Sequence, residues 1–392
     1  MTLFVICLFD SSDSTKKEIT QMLHPLVIKG KTNRLPIIQG GMGIGISLAP
    51  LASAVAREGG CGIISTAALD RIVARRTGGK HSAYTAVREE VSLAKQHGGC
   101  VGVNIMVALI RDYRESVKAA IDAGADLIIS GGGLPLDLPA IQPPRDTALI
   151  PIVSSARSLE VICKKWERHK YRPDAAVLEG PLAGGHLGFK MEQIEGAEYQ
   201  LERLLPQVKD VARKYGDFPI IAAGGIYSHE DILDILRQGA DGVQLGTRFL
   251  ATEESSASPA YKQAVVDARK EDILVAYRPG SPCGLPFRVI KQSPMFLSAL
   301  NRQRKPKCSL GYVLGKDAEG RYTVCPAKDS NENHFCICSG LLQSGGYAVE
   351  NGEELFTVGT NGYRIQRVVS VKELMAELTG QALRELPRVA SA

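Results

Sequence analysis

The sequence predicts an α/β fold, a (β/α)8 TIM barrel with a smaller irregular C-terminal lid segment, on three observations. Eight short apolar runs recur over about 215 residues between Leu35 and Leu250. Helix-like stretches separate them, and each run ends in glycine or a small or polar residue. The runs are continuous rather than alternating, as expected of strands buried on both faces. A doubly wound sheet is the runner-up, because periodicity alone does not close a barrel.

In order, the runs are Pro36–Gln39, Gly62–Ser65, Val101–Ile105, Leu127–Ser130, Ile150–Ser154, Ala175–Leu178, Ile220–Ala223 and Gly242–Leu245. Between them, helices are predicted over Leu48–Glu58, Ala83–Gln96, Tyr113–Ala123, Ser158–Trp166, Tyr199–Lys214 and Ser228–Gln238. Two of these stop at Ala123–Asp126 and Gln238–Asp241, where glycine takes the C-cap role. The chain divides accordingly into an N-terminal extension and lead-in (1–30), a barrel (31–255) and a C-terminal lid segment (256–392). An amphipathic helix over Val371–Leu378 closes the last part. Met1–Gln21 reads as an extension outside this frame, with Met22 a natural start.

Composition excludes several classes. Hydrophobic residues make up 44% and charged residues 23%, which rules out bulk disorder. A net charge of +5 is too mild for a nucleic-acid footprint. No apolar run approaches the roughly 20 residues of a membrane span, and Met1–Phe9 lacks the preceding basic region of a signal peptide. Nine cysteines, five of them scattered singly, read as reduced thiols of a cytoplasmic protein.

Barrel chemistry sits where strands end. The sharpest pair of ends is Ala222-Ala223-Gly224-Gly225-Ile226 and Gln244-Leu245-Gly246-Thr247-Arg248, whose backbone N–H groups and Thr247 hydroxyl suit a phosphate. His186, in Ala183-Gly184-Gly185-His186-Leu187-Gly188, is flanked by glycines that leave its imidazole accessible. At an ordinary pKa of about 6.5 it would exchange protons near neutrality. The other histidines lack such a setting, and no His/Glu pair has catalytic zinc spacing.

Five segments, Pro36–Met42, Gly102–Asn104, Ala183–Gly188, Ile221–Ile226 and Gln244–Phe249, together resemble the nitronate monooxygenase family, formerly called 2-nitropropane dioxygenases. Flavin-dependent enoyl-ACP reductases of the second type share the frame. The resemblance covers roughly Leu35–Leu300 and implies an FMN-binding TIM barrel. It implies Gly41 and Met42 beside the isoalloxazine, Asn104 at its polar edge, Gly185 in the cofactor loop, and Gly224, Gly225, Gly246 and Thr247 around the phosphate. His186 falls at the family's catalytic histidine. The implied reaction is oxidation of a nitronate by dioxygen, giving a carbonyl compound and nitrite, with His186 as base toward the neutral nitroalkane. The alternative is an NAD(P)H-dependent reductase of enoyl thioesters or quinones, with an acyl carrier protein as possible partner. A non-flavin barrel resembling inosine monophosphate dehydrogenase would need a nucleophilic loop cysteine, and Cys283 is a poor candidate.

Two departures from the family pattern stand out. Glu179-Gly180-Pro181-Leu182 precedes Ala-Gly-Gly-His where the typical pattern is more acidic, and Cys283 replaces valine in Ser281–Pro286. In the C-terminal third, Cys308, Cys325, Cys336 and Cys338 cluster with His334 without the paired Cys-x2-Cys spacing of zinc knuckles, so no metal is expected. This segment, with Gly345-Gly346-Tyr347, is expected to cover the barrel mouth. The basic run Arg302–Lys307 reads as a solvated loop, or as a site for an acidic carrier protein.

Overall fold

The computed structural model describes residues 23–303, 325, 334–347 and 353–381. Eight parallel strands close a barrel: β1 (Ile37–Gln39), β2 (Cys61–Ser65), β3 (Cys100–Met106), β4 (Leu127–Gly131), β5 (Ala148–Val153), β6 (Ala176–Glu179), β7 (Ile220–Ala223) and β8 (Gly242–Leu245). Each predicted run corresponds to one strand, and pairing of β8 with β1 excludes the open sheet.

The continuous apolar pattern has a direct cause. Ile38, Ile63, Ile129, Ile150, Val177 and Ile221 fill the barrel interior, while Ile37, Ile64, Ile128, Leu149, Leu178 and Ile220 face the helices. Both sides of each strand are therefore apolar. A hairpin of Leu26–Ile28 and Lys31–Asn33 plugs the floor, placing Leu26 and Ile28 in the interior cluster.

The surrounding helices are α1 (Ala49–Arg57), α2 (Leu69–Thr77), α3 (Ala83–Lys95), α4 (Ile110–Asp122), α5 (Ala156–Glu167), α6 (Leu201–Lys214) and α7 (His229–Arg237). Helix α2 is additional to those predicted. It begins after a left-handed Ala68 and carries two arginines in its last turn, so its apolar stripe is thin. Serine capping boxes start α3, α5 and α7.

The Gly-Ala-Asp segments do more than end helices. Asp126, just before β4, accepts the amide of Val101 in β3; Asp241, before β8, accepts that of Ile220 in β7. Asp174, before β6, does the same for Leu149 in β5. Each carboxylate thus satisfies an amide at the foot of the preceding strand, where the ladder has not begun. Lys31 and Lys95 pair with Asp126, and Lys209 with Asp241.

After the barrel come α8 (Thr247–Leu250), α9 (Pro259–Asp267), β9 (Ile273–Ala276), β10 (Phe287–Ile290), α10 (Pro294–Leu300), α11 (Ile337–Ser344) and α12 (Val371–Leu378). Strand β10 lies between β9 and the two-residue strand Gly185–His186, antiparallel to both. The closing helix α12 is where the amphipathic pattern predicts it, packed on α1, α7 and α8. Among the described residues, no helix is long and apolar enough to cross a membrane.

Candidate active site

One cavity of about 630 Å³ opens at the C-terminal ends of the barrel strands. Gly41, Met42, Asn104, His186, Gly224, Gly225, Gly246 and Thr247 all line it. Gly185 is not among the lining residues; its neighbour Gly184 is. Gly185 has φ +71 and pairs with Arg288 of β10, so it shapes the loop from behind the wall.

The glycines have steric reasons. A Cβ on Gly41 would sit 2.3 Å from the Cβ of Asn104, so the wall there is flat because no side chain fits. Gly224 and Gly225 have φ +98 and +83, and a Cβ on them would lie 2.9 Å from Gly180 O and from Leu182 Cβ. Thr247 Oγ1 accepts the amide of Gly359 at 2.8 Å, which leaves its O–H free to donate. Asn361 donates to Gly225 O, so the returning segment around Gly359–Gly362 forms part of this cradle. That contribution is absent from the sequence reading, since it comes from 112 residues beyond Thr247 and has no local motif.

Polar groups are left spare on the wall. Gln244 Oε1 is buried without a hydrogen-bond partner. Among the described residues, the side-chain amide of Asn104 and the carboxyl of Glu179 have no protein partner, and both line the cavity. Burial pushes the Glu179 carboxyl up to about 7. A flat glycine wall, free amide groups and a backbone cradle with a free hydroxyl suit a planar heteroaromatic ring carrying a phosphate.

His186 is more enclosed than its glycine flanks suggest. Its Nε2 lies 2.9 Å from Ser281 Oγ, and its ring meets Phe287 edge-on at 4.7 Å and 84°. Burial pushes its pKa down to about 4, so the imidazole is neutral at physiological pH and able to accept a proton. This replaces the ordinary value expected from the sequence. Ser281 Oγ also accepts the amide of Cys283, and burial pushes the Cys283 thiol up, away from a reactive thiolate. Ser281 was visible in the sequence only as part of a matching loop, and its role there had no signal.

Of the cysteine cluster, Cys308 lies outside the described residues, as do Met1–Gln21 and most of the basic run. Cys325 and Cys336 are buried, and Cys338 lies in the first turn of α11. Among the described residues no group of three or more His, Cys, Asp or Glu is placed to hold a metal. Tyr347 packs beside Gly45, away from the cavity wall.

The closed barrel, with its glycine wall and an enclosed histidine around one cavity at the strand ends, has the layout of a TIM-barrel enzyme. The sequence profile described as nitronate monooxygenase matches residues 80–381, and the chain belongs to that family. A Bacillus subtilis (strain 168) protein named "Probable nitronate monooxygenase" is 38% identical over 99 residues, 25% of this chain and 27% of that protein. A Mycobacterium tuberculosis (strain H37Rv) protein, "(3aS,4S,5R,7aS)-5-hydroxy-7a-methyl-1-oxo-octahydro-1H-indene-4-carboxyl-CoA dehydrogenase", is 30% identical over 258 residues, 65% of this chain and 63% of that protein. The matched stretches thus cover about a quarter of one relative and under two thirds of the other. In fold the chain resembles FabK from Thermotoga maritima, with a TM-score of 0.63 and 24% identity over 90% of this chain and 94% of FabK. A nitroalkane oxidase from Streptomyces ansochromogenes gives 0.62 and 23% over 90% and 98%.

Proposed function

We propose that the protein binds FMN and oxidises alkyl nitronates with dioxygen to a carbonyl compound and nitrite. The observation that carries this reading is an imidazole on the wall of the cavity, held by Ser281 and Phe287. Bound flavin supplies electron transfer between substrate and dioxygen. Asn104, Gln244 and Glu179 would hold the ring and its side chain, and Gly224, Gly225, Gly246 and Thr247 the phosphate. His186 would take the α-proton of a neutral nitroalkane at its free nitrogen lone pair. Ser281 fixes the ring, and the apolar edge of Phe287 disfavours the imidazolium until substrate arrives.

A second reading is favoured by the mycobacterial relative, whose name places it on a carboxyl-CoA. On that reading NAD(P)H reduces the flavin and the substrate is an enoyl thioester, carried by coenzyme A or an acyl carrier protein. The exposed Leu134 and Leu285 on the cavity wall would receive its apolar part.

An anaerobic absorbance titration separates the two. Loss of flavin absorbance with a nitronate but not with NADH or NADPH is the expected result. Bleaching by the nicotinamide alone would overturn it in favour of the reductase.

A further inference from the structure

Arg288 has no place in the chemistry described so far, yet its surroundings are unusual. It lies in β10, is 5% exposed, and has no ion-pair partner among the described residues. Its guanidinium Nη1 donates instead to two carbonyls, Pro181 O at 2.8 Å and Ala183 O. Both belong to the loop that ends in Gly185 and His186. A buried cation held only by carbonyls is costly, and burial pushes its pKa down to about 10. Leu182, between the two accepting carbonyls, is apolar and lies against Gly225, so it offers the guanidinium no counter-charge.

The same strand grips the loop in two further ways. Arg288 pairs with Gly185 and Phe287 with His186 in the antiparallel ladder, and the Phe287 ring packs against the imidazole. Side chain, backbone and ring thus fix one short loop from one strand. We propose that Arg288 is a positioning residue, which holds the Pro181–His186 loop against β10 and keeps the His186 ring enclosed.

The ionisable groups around His186 are Glu179 from β6, Lys190 four residues beyond it, and Cys283 and Arg288 from the segment packed over it. Removing Arg288 frees the loop to let water reach the ring. Hydration favours the imidazolium and raises the histidine's pKa toward its ordinary value of about 6.5.

The test is a ring-proton NMR titration of His186 in the flavin-loaded protein, assigned with His186→Gln. Arg288→Met is expected to raise the midpoint by roughly one pH unit or more, and Arg288→Lys to restore part of the shift. Val289→Ala opens a cavity at the next residue of the same strand and serves as the structural control. It is expected to lower the melting temperature without moving the midpoint. An unmoved midpoint in Arg288→Met, or an equal shift in Val289→Ala, overturns the proposal. If Arg288→Met does not fold, Arg288→Lys alone decides: no shift with that variant overturns it as well. The titration needs no substrate, so it stands apart from the proposed reaction. In activity, Arg288→Met should move the acid limb of the pH–kcat/KM profile upward by the same interval on a neutral nitroalkane. That readout alone rests on His186 being the base.

Discussion

The two ends of the barrel use polar residues in opposite ways. At the floor, Asp126, Asp174 and Asp241 each close on a strand-end amide, and lysines or Tyr171 complete their pairing. At the mouth, Asn104, Glu179 and Gln244 Oε1 face the cavity without a protein partner. The floor's polar groups are used up by the fold, whereas the mouth's are left for a ligand, at a cost in the empty protein. Stability and function are thereby separated along the barrel axis, and substitutions at the two ends should separate in the same way.

The largest effect is expected at His186. His186→Ala should lower kcat/KM on a neutral nitroalkane by on the order of 10²–10⁴, the usual contribution of a positioned base. It should leave preformed nitronate oxidation and bound flavin nearly intact. Equal losses on both substrate forms would remove the imidazole from proton transfer.

Next is a pH effect specific to the mouth. The folded pKa of Glu179, about 7, lies above its ordinary 4.5, so the unfolded chain loses that proton first and stability falls as pH rises between them. For His186 the folded value of about 4 lies below the ordinary 6.5, so stability falls as pH drops through that range. Between about 4.5 and 6.5 the two slopes oppose each other. Glu179→Gln should therefore stabilise the flavin-free protein at pH 8, by about 1–3 kcal/mol, and do little at pH 4. Thermal melts across pH that stay parallel to the parent would show that this carboxyl is not strained by burial.

How much of this contrast the sequence reveals depends on how local each signal is. The strands are legible because Ile37/Ile38 and Val177/Leu178 bury successive residues on opposite faces, which leaves a continuous apolar run. The glycine ends are legible because flatness at Gly41 or a positive φ at Gly224 leaves a one-letter mark. Enclosure leaves none. Whether His186 titrates near its ordinary value depends on Ser281 and Phe287, about a hundred residues away. The same holds for Gly359 and Asn361, which reach the cradle only after the chain has wrapped back over the barrel.

A smaller effect is expected from filling the glycine wall. Gly41→Ala places a methyl group against Asn104 and should weaken flavin binding on the order of 10–100-fold, about 1–3 kcal/mol of overpacking. Flavin fluorescence titration reads it directly. The floor supplies the counterpart. Asp126→Ala strands the Val101 amide and two lysines and should cost about 1–3 kcal/mol in denaturant unfolding, with flavin affinity unchanged. If Asp126→Ala weakened flavin binding as strongly as Gly41→Ala, the two ends would not be independent.

The smallest effect is expected at Cys283, which tests whether the mouth holds a reactive group outside the polar set. Its half-buried thiol is pushed upward in pKa, and the bond that ties its loop to Ser281 comes from its backbone amide. Valine keeps that amide and has nearly the same volume, so Cys283→Val should change stability by less than about 1.5 kcal/mol. Turnover should stay within roughly twofold, as for a side chain that contributes packing alone. A loss of tenfold or more with the flavin still bound would mean that the thiol takes part in the reaction. The mouth's chemistry would then extend to the segment that follows the barrel, beyond the residues at the strand ends.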